Sequence, residues 1–111
     1  LAHRCEASFE KYGTTPVTAN HPELATFVRE TAQRVLGNRA YVEVPKPTMW
    51  GEDFAFYTER VPGCFYLLGV QPHDRESYPM LHNPAYDFTD AAVAVGIRMM
   101  AELALGWLGR Q

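Results

Sequence analysis

Cysteine is scarce in this chain, and what little there is, Cys5 and Cys64, is far apart. Two such residues make neither a disulfide framework nor a Cys-x-x-Cys metal knuckle, and the usage fits a reducing compartment, so cytoplasm is the expected location. Basic charge is short as well: 10 lysines and arginines against 13 acids give a formal charge of -3. Without a cationic surface, nucleic acid and anionic lipid are not expected partners. There is no glycine-rich phosphate loop, no His-Glu-x-x-His and no Gly-x-Ser-x-Gly. Those gaps set aside the phosphate-cradling, single-helix zinc protease and serine-elbow chemistries. The apolar stretch 91–108 approaches membrane-spanning length, but Arg98 and Glu102 fall near its middle. Each costs about 2.5 kcal/mol or more at the centre of a bilayer, so a soluble helix is expected there and no membrane partner. The opening "LAHRCEASFEKYG" lacks the basic-then-apolar order of a secretory signal. No methionine begins it and a strand-like pattern starts at once, so the expectation is a piece of a longer chain.

What is present is the composition of a globular domain. Hydrophobic residues make up 47% and charged residues 21% of the 111 positions, and a domain of this length buries roughly 65% of its unfolded surface. In "RCEASFEKY" (residues 4–12), Cys5, Ala7 and Phe9 alternate with polar neighbours, the period of a half-exposed antiparallel strand. The connector "GTTPVTANHP" ends in a helix start, with Asn20 or His21 as cap and Pro22 and Glu23 in the first turn. Leu24, Phe27, Val28, Ala32, Val35 and Leu36 then form one apolar stripe that stops at Gly37. "AYVEV" (40–44) reads as a short strand, "GEDFAFYTER" (51–60) as a short helix, and "CFYLLGV" (64–70) as a strand buried on both faces. A long connection, residues 71–88, exceeds the usual four to six and marks a functional or mobile loop. Thr89 and Asp90 open a last helix with Val93, Ile97, Met100, Ala101, Leu105 and Leu108 on its apolar face. Strands alternating with helices predict an α/β layer packing, with the first strand standing apart across a proline-containing connector as part of a neighbouring domain.

Of the four histidines, His3 near the terminus, His21 at a helix start and His73 in the polar "QPHDRES" read as solvated or capping residues. His82 differs, because "YPMLHNPAYDF" surrounds it with Met80, Leu81, Pro84, Tyr86 and Phe88 inside the long loop. A neutral imidazole carried on such a loop makes a metal ligand, and a structural histidine hydrogen-bonded within the loop is the alternative. Glu52 and Asp53 are adjacent and diverge, so they read as helix-start acids rather than an acid/base pair. Gly51 before them lets backbone amides approach an anion. Cys64 opens an apolar run where a thiol is inert. The residues by themselves thus offer one candidate ligand, whereas a zinc site needs three or four.

Two stretches together carry a resemblance. "TMWGEDFAFYTERVPGCFYLLGV" (48–70) and "LHNPAYDFTDAAVAVGIRMMAELAL" (81–105), preceded by "NHPELATFVRETAQRVLG", resemble the C-terminal portion of the N-acyl-amino-acid amidohydrolases. That group includes hippurate hydrolase and the plant indole-acetyl-amino-acid hydrolases, within the wider aminoacylase and carboxypeptidase metallopeptidases. The resemblance implies the C-terminal half of a three-layer α/β catalytic domain (residues 14–111) preceded by the last strand of a lid and dimerisation domain (residues 1–13). It implies a homodimeric parent enzyme that hydrolyses the amide of a small N-acyl amino acid with two divalent ions, zinc, manganese or similar.

On this resemblance His82 is a metal ligand, and Trp50 and Gly51 are substrate-binding, with the free carboxylate of the substrate near Gly51. Trp50 stands where the family commonly has a smaller residue. The family mechanism is a metal-activated water, deprotonated by a glutamate, attacking a metal-polarised carbonyl. The His-x-Cys-Gly-His-Asp motif, the glutamate pair and the lid histidine are absent from these residues. No catalytic residue is therefore assigned here, and the piece alone is expected to be inactive, since a single histidine cannot hold a dinuclear site at useful affinity. The rival expectation is a stand-alone interaction or regulatory module that keeps the fold without the chemistry.

Overall fold

The computed structural model describes residues 5–110; His3 and the first residues of the proposed lid strand lie outside them. Helix α1 spans Pro22–Leu36. Its first position is Pro22, which has no N–H to waste, and its last turn is closed by Gly37, whose φ of 96° no residue with a Cβ adopts comfortably. The stripe read from the sequence is the one that packs: Phe27, Ala32 and Val35 are buried, with Thr31 beside them. Of the two cap candidates His21 takes the N-cap position, without a side-chain hydrogen bond, and the Asn20 carboxamide is engaged elsewhere.

A 3₁₀ turn, Asn38–Ala40, follows α1 directly. Helix α2 is a single turn, Ala55–Thr58, rather than the ten residues expected. The bonds Ala55 N–H to Glu52 O and Phe56 N–H to Asp53 O are of the tighter i to i+3 kind. Pro62 then stops propagation, since the residue before a proline is pushed out of the helical region.

Helix α3, Asp90–Leu108, begins after Thr89 as expected. It packs against α1, but through a different face from the one the periodicity suggests. Ala92 and Met99 are buried, whereas Ile97 and Leu105 are 67% and 68% exposed. By length and composition α3 is apolar enough to cross a membrane. Two contacts fix the helix pair. Arg34 Nη1 donates to Glu102 Oε2 at 3.1 Å. The Phe27 ring lies 5.9 Å from that of Trp107 and carries the Arg110 guanidinium at 4.0 Å on its face.

Among the described residues no strand forms, so the expected strands at 4–12, 40–44 and 64–70 are not seen as ladders. Strand pairing belongs to two chains at once: an apolar run with the right period stays unladdered unless a neighbour offers its N–H and C=O groups. Segment 64–70 instead leans on α3. A Cβ added at Gly96 would come 3.2 Å from Leu68 Cδ2, and the Tyr66 hydroxyl donates to Met100 Sδ at 3.2 Å. The radius of gyration is 18.8 Å over a slab of 63 × 40 × 22 Å, against about 13 Å for a compact domain of this length. Much apolar surface is accordingly uncovered, from Phe9 at 93% exposure to the outer face of α3.

Candidate functional site

The long loop is more ordered than its polar composition suggests. Two tight turns follow one another: Asn83 N–H donates to Met80 O at 3.1 Å, and Tyr86 N–H to Asn83 O at 2.9 Å. The Asn83 side chain adds a third bond, its Oδ1 accepting Ala85 N–H at 2.8 Å. The Tyr78 hydroxyl closes the loop by donating to the Asp87 carbonyl, and the Tyr78 and Tyr86 rings meet edge to face at 6.5 Å.

His82 is the third residue of the first turn, with φ of 70°, and it is the sole non-glycine at positive φ among the described residues. That position is ordinarily given to glycine or asparagine, since a Cβ there crowds the backbone. A histidine kept in a left-handed conformation is the kind of backbone outlier that collects at functional sites. Its imidazole faces solvent. It is therefore not sunk inside a layer.

A second feature is an open cleft of about 620 Å³ between residues 15–20, 44–52 and the start of the 64–70 segment. Trp50 and Gly51 both line it; His82 does not. The walls are pinned by Asn20. Its Nδ2 donates to Phe65 O at 2.8 Å and its Oδ1 accepts Phe65 N–H at 2.7 Å, so one carboxamide does for Phe65 what a neighbouring strand would do. The adjacent His21 N–H donates to Gly63 O at 2.9 Å, adding a third bond between the same two segments. Behind the cleft, the Phe54 ring packs on Phe65 at 5.5 Å and on Tyr57 at 5.8 Å. The Glu52 carboxylate turns back on its own helix start, accepting Phe54 N–H at 3.2 Å.

The remaining candidates sort as follows. His73 is exposed in a polar turn, which fits its reading as a solvated residue. His21 stands at a helix start as foreseen, but its Nδ1 is sealed from solvent without a hydrogen-bond partner. Burial pushes the Cys64 thiol above its ordinary pKa, which keeps it protonated and unreactive at neutral pH. Burial also raises the Tyr66 phenol, with Cys64 a second cause. No group of three histidine, cysteine, aspartate or glutamate side chains is placed to hold a metal among the described residues. Sequence reasoning missed Asn20 as a clamp, Tyr78 as the closure of the loop and Lys46 as a cleft residue. The clamp had a faint signal, an asparagine just ahead of a Pro-Glu helix start, and that signal was spent on capping.

The chain matches Peptidase family M20/M25/M40 over residues 4–106. IAA-amino acid hydrolase ILR1-like 2 of Arabidopsis thaliana is 33% identical over 110 residues, covering 96% of this chain and 25% of that protein. Hippurate hydrolase of Campylobacter jejuni is 31% identical over 107 residues, 96% of this chain and 27% of the relative. The putative amidohydrolase YhaA of Bacillus subtilis is 30% identical over 90 residues, 81% of this chain and 22% of the relative. The chain thus spans about a quarter of the length of the curated relatives it matches. No solved structure matches it. With a match that runs through the helix pair, the cleft and the His82 loop alike, the chain belongs to Peptidase family M20/M25/M40.

Proposed function

We propose that the chain is the C-terminal portion of a metal-dependent amidohydrolase that cleaves the amide bond of N-acyl amino acids, and that His82 is a ligand to one of its two divalent ions. Residues 1–13 are the end of a lid domain and residues 14–111 the returning half of the catalytic domain. The relatives named for IAA-amino acids and hippurate support an N-acyl amino acid as substrate. The observation that carries the reading is the exposed His82 imidazole, held at φ 70° in a doubly turned loop that the Tyr78 hydroxyl closes.

One imidazole fits one position of a zinc or manganese site, and three or four are needed, so this chain does not complete the site by itself. A bound divalent ion supplies a Lewis acid and an acidified water. What the chain contributes is narrower: His82 presents a ring nitrogen, and Trp50 and Gly51 contact the substrate in the cleft. The parent is a cytoplasmic homodimer on this reading, and the chain alone is inactive.

The test uses the chain with added zinc or manganese. No hydrolysis of hippurate is expected, while the His82 ring resonances shift on zinc addition and those of His73 shift less. Robust turnover by the chain, or a zinc response at His73 with none at His82, would overturn the proposal.

A further inference from the structure

We propose that Lys46 is the counter-ion for the substrate's free carboxylate, with the Trp50 indole as the wall against which a planar acyl group stacks. This rests on the reading of the chain as part of an N-acyl-amino-acid amidohydrolase, and it names which residues of the cleft recognise the two ends of the substrate.

Lys46 and Glu52 are the charged residues among those lining the cleft. Glu52 is occupied, because its Oε1 already accepts the Phe54 amide at 3.2 Å. That bond also uses up the helix start to which the Gly51 turn would otherwise bring an anion, and α2, at four residues, has little dipole to offer a second one. An anion entering the cleft therefore meets one free cation among the described residues. Among the described residues Lys46 has no carboxylate partner: the ion pair there is that between Arg34 and Glu102.

Position supports charge. Lys46 stands between Pro45 and Pro47, at a bend of the chain; each pyrrolidine fixes its own φ. The ammonium thus swings from an anchored base. Four residues on, Trp50 lines the same cleft at 54% exposure, a large flat surface about half open to solvent. A volume of about 620 Å³ is in the range of small-molecule sites, roughly 300–1,000 Å³. A ligand with a carboxylate at one end and an aromatic ring at the other matches a cation and an indole placed this way, whereas a cationic or purely aliphatic ligand does not.

The experiment titrates the chain with hippurate and follows tryptophan fluorescence in a Trp107→Phe background, where Trp50 is the single tryptophan. Equilibrium dialysis of hippurate against the unaltered chain repeats the measurement should that background fold poorly. Saturable quenching is expected. Lys46→Gln weakens binding about three- to fivefold, as for an exposed ion pair, Lys46→Arg restores it, and added salt erases the difference. The neutral amide of hippurate binds more weakly than hippurate and is indifferent to Lys46→Gln. Equal binding of hippurate by the wild-type and Lys46→Gln chains, or no saturable binding at all, overturns the assignment. The zinc response of the His82 ring is read separately on the unaltered chain without hippurate, so a failure at Lys46 is separable from a failure of the metal-ligand reading.

Discussion

Replacing His82 by glycine and, separately, by alanine isolates the cost of holding this residue in its left-handed turn. Both variants lack the imidazole, and they differ in the Cβ alone. At φ 70° a Cβ costs about 1–2 kcal/mol relative to glycine. Against this, glycine gives up about 0.5–1 kcal/mol more chain entropy on ordering. The difference leaves the glycine variant ahead by about 0.5–1 kcal/mol, the reverse of the usual order of these two residues in regular structure. Amide hydrogen exchange at Asn83 is the direct assay, because its N–H closes the turn on Met80 O at 3.1 Å. Exchange there should be about two- to fivefold slower in His82→Gly than in His82→Ala, while both lose the zinc response. Equal protection, or better protection in the alanine variant, would refute the claim that this position is strained. On the proposed reading, a turn better protected in His82→Gly than in His82→Ala, with the zinc response lost in both, marks a position that carries its residue for chemistry rather than for folding.

Three further expectations concern the scaffold. Gly96→Ala should raise the urea midpoint, gaining about 0.8–1 kcal/mol of helix propensity against a 3.2 Å contact with the free end of Leu68; Gly106→Ala should gain little, because its Cβ would press at 3.3 Å on the Phe27 ring held between Trp107 and Arg110. Asn20→Ala, which deletes both bonds to Phe65, should destabilise the chain by about 1–2 kcal/mol in urea unfolding and speed exchange at the Phe65 amide. Alkylation of Cys64 should be slow in the folded chain and rise only at a pH above that needed once urea has unfolded it: its folded pKa is raised, so at any given pH below that value less thiolate is present than in the unfolded chain. A Cys64 alkylated equally fast in both states would contradict the burial.

The parts of this fold governed by local chemistry were legible and those governed by partners were not. The α1 stripe with Pro22 and Gly37, and the Thr89 start of α3, are written within a few residues of themselves. The face that α3 buries was not, since a helix apolar on most sides lets its neighbours decide, and Ala92 and Met99 are the side chains covered. The α2 segment looked long because its acids suit a helix start, yet Glu52 folds back on Phe54 and Pro62 ends the run. The strand-like runs at 40–44 and 64–70 are extended stretches whose laddering depends on neighbours that do not appear among the described residues. At the site, His82 stood out by its setting in the long loop, but nothing in a histidine announces a left-handed backbone. Trp50 and Gly51 came through the family resemblance, while Lys46 between two prolines reads in sequence as a solvated strand terminator.

The Asn20 clasp has a chemical shelf life. Its grip on Phe65 needs a donor and an acceptor on one side chain, 2.8 and 2.7 Å from their partners. Hydrolysis of that amide, with loss of ammonia, leaves a carboxylate whose second oxygen would face the Phe65 carbonyl and repel it. Ageing of this one asparagine would then prise apart the two segments that bound the cleft.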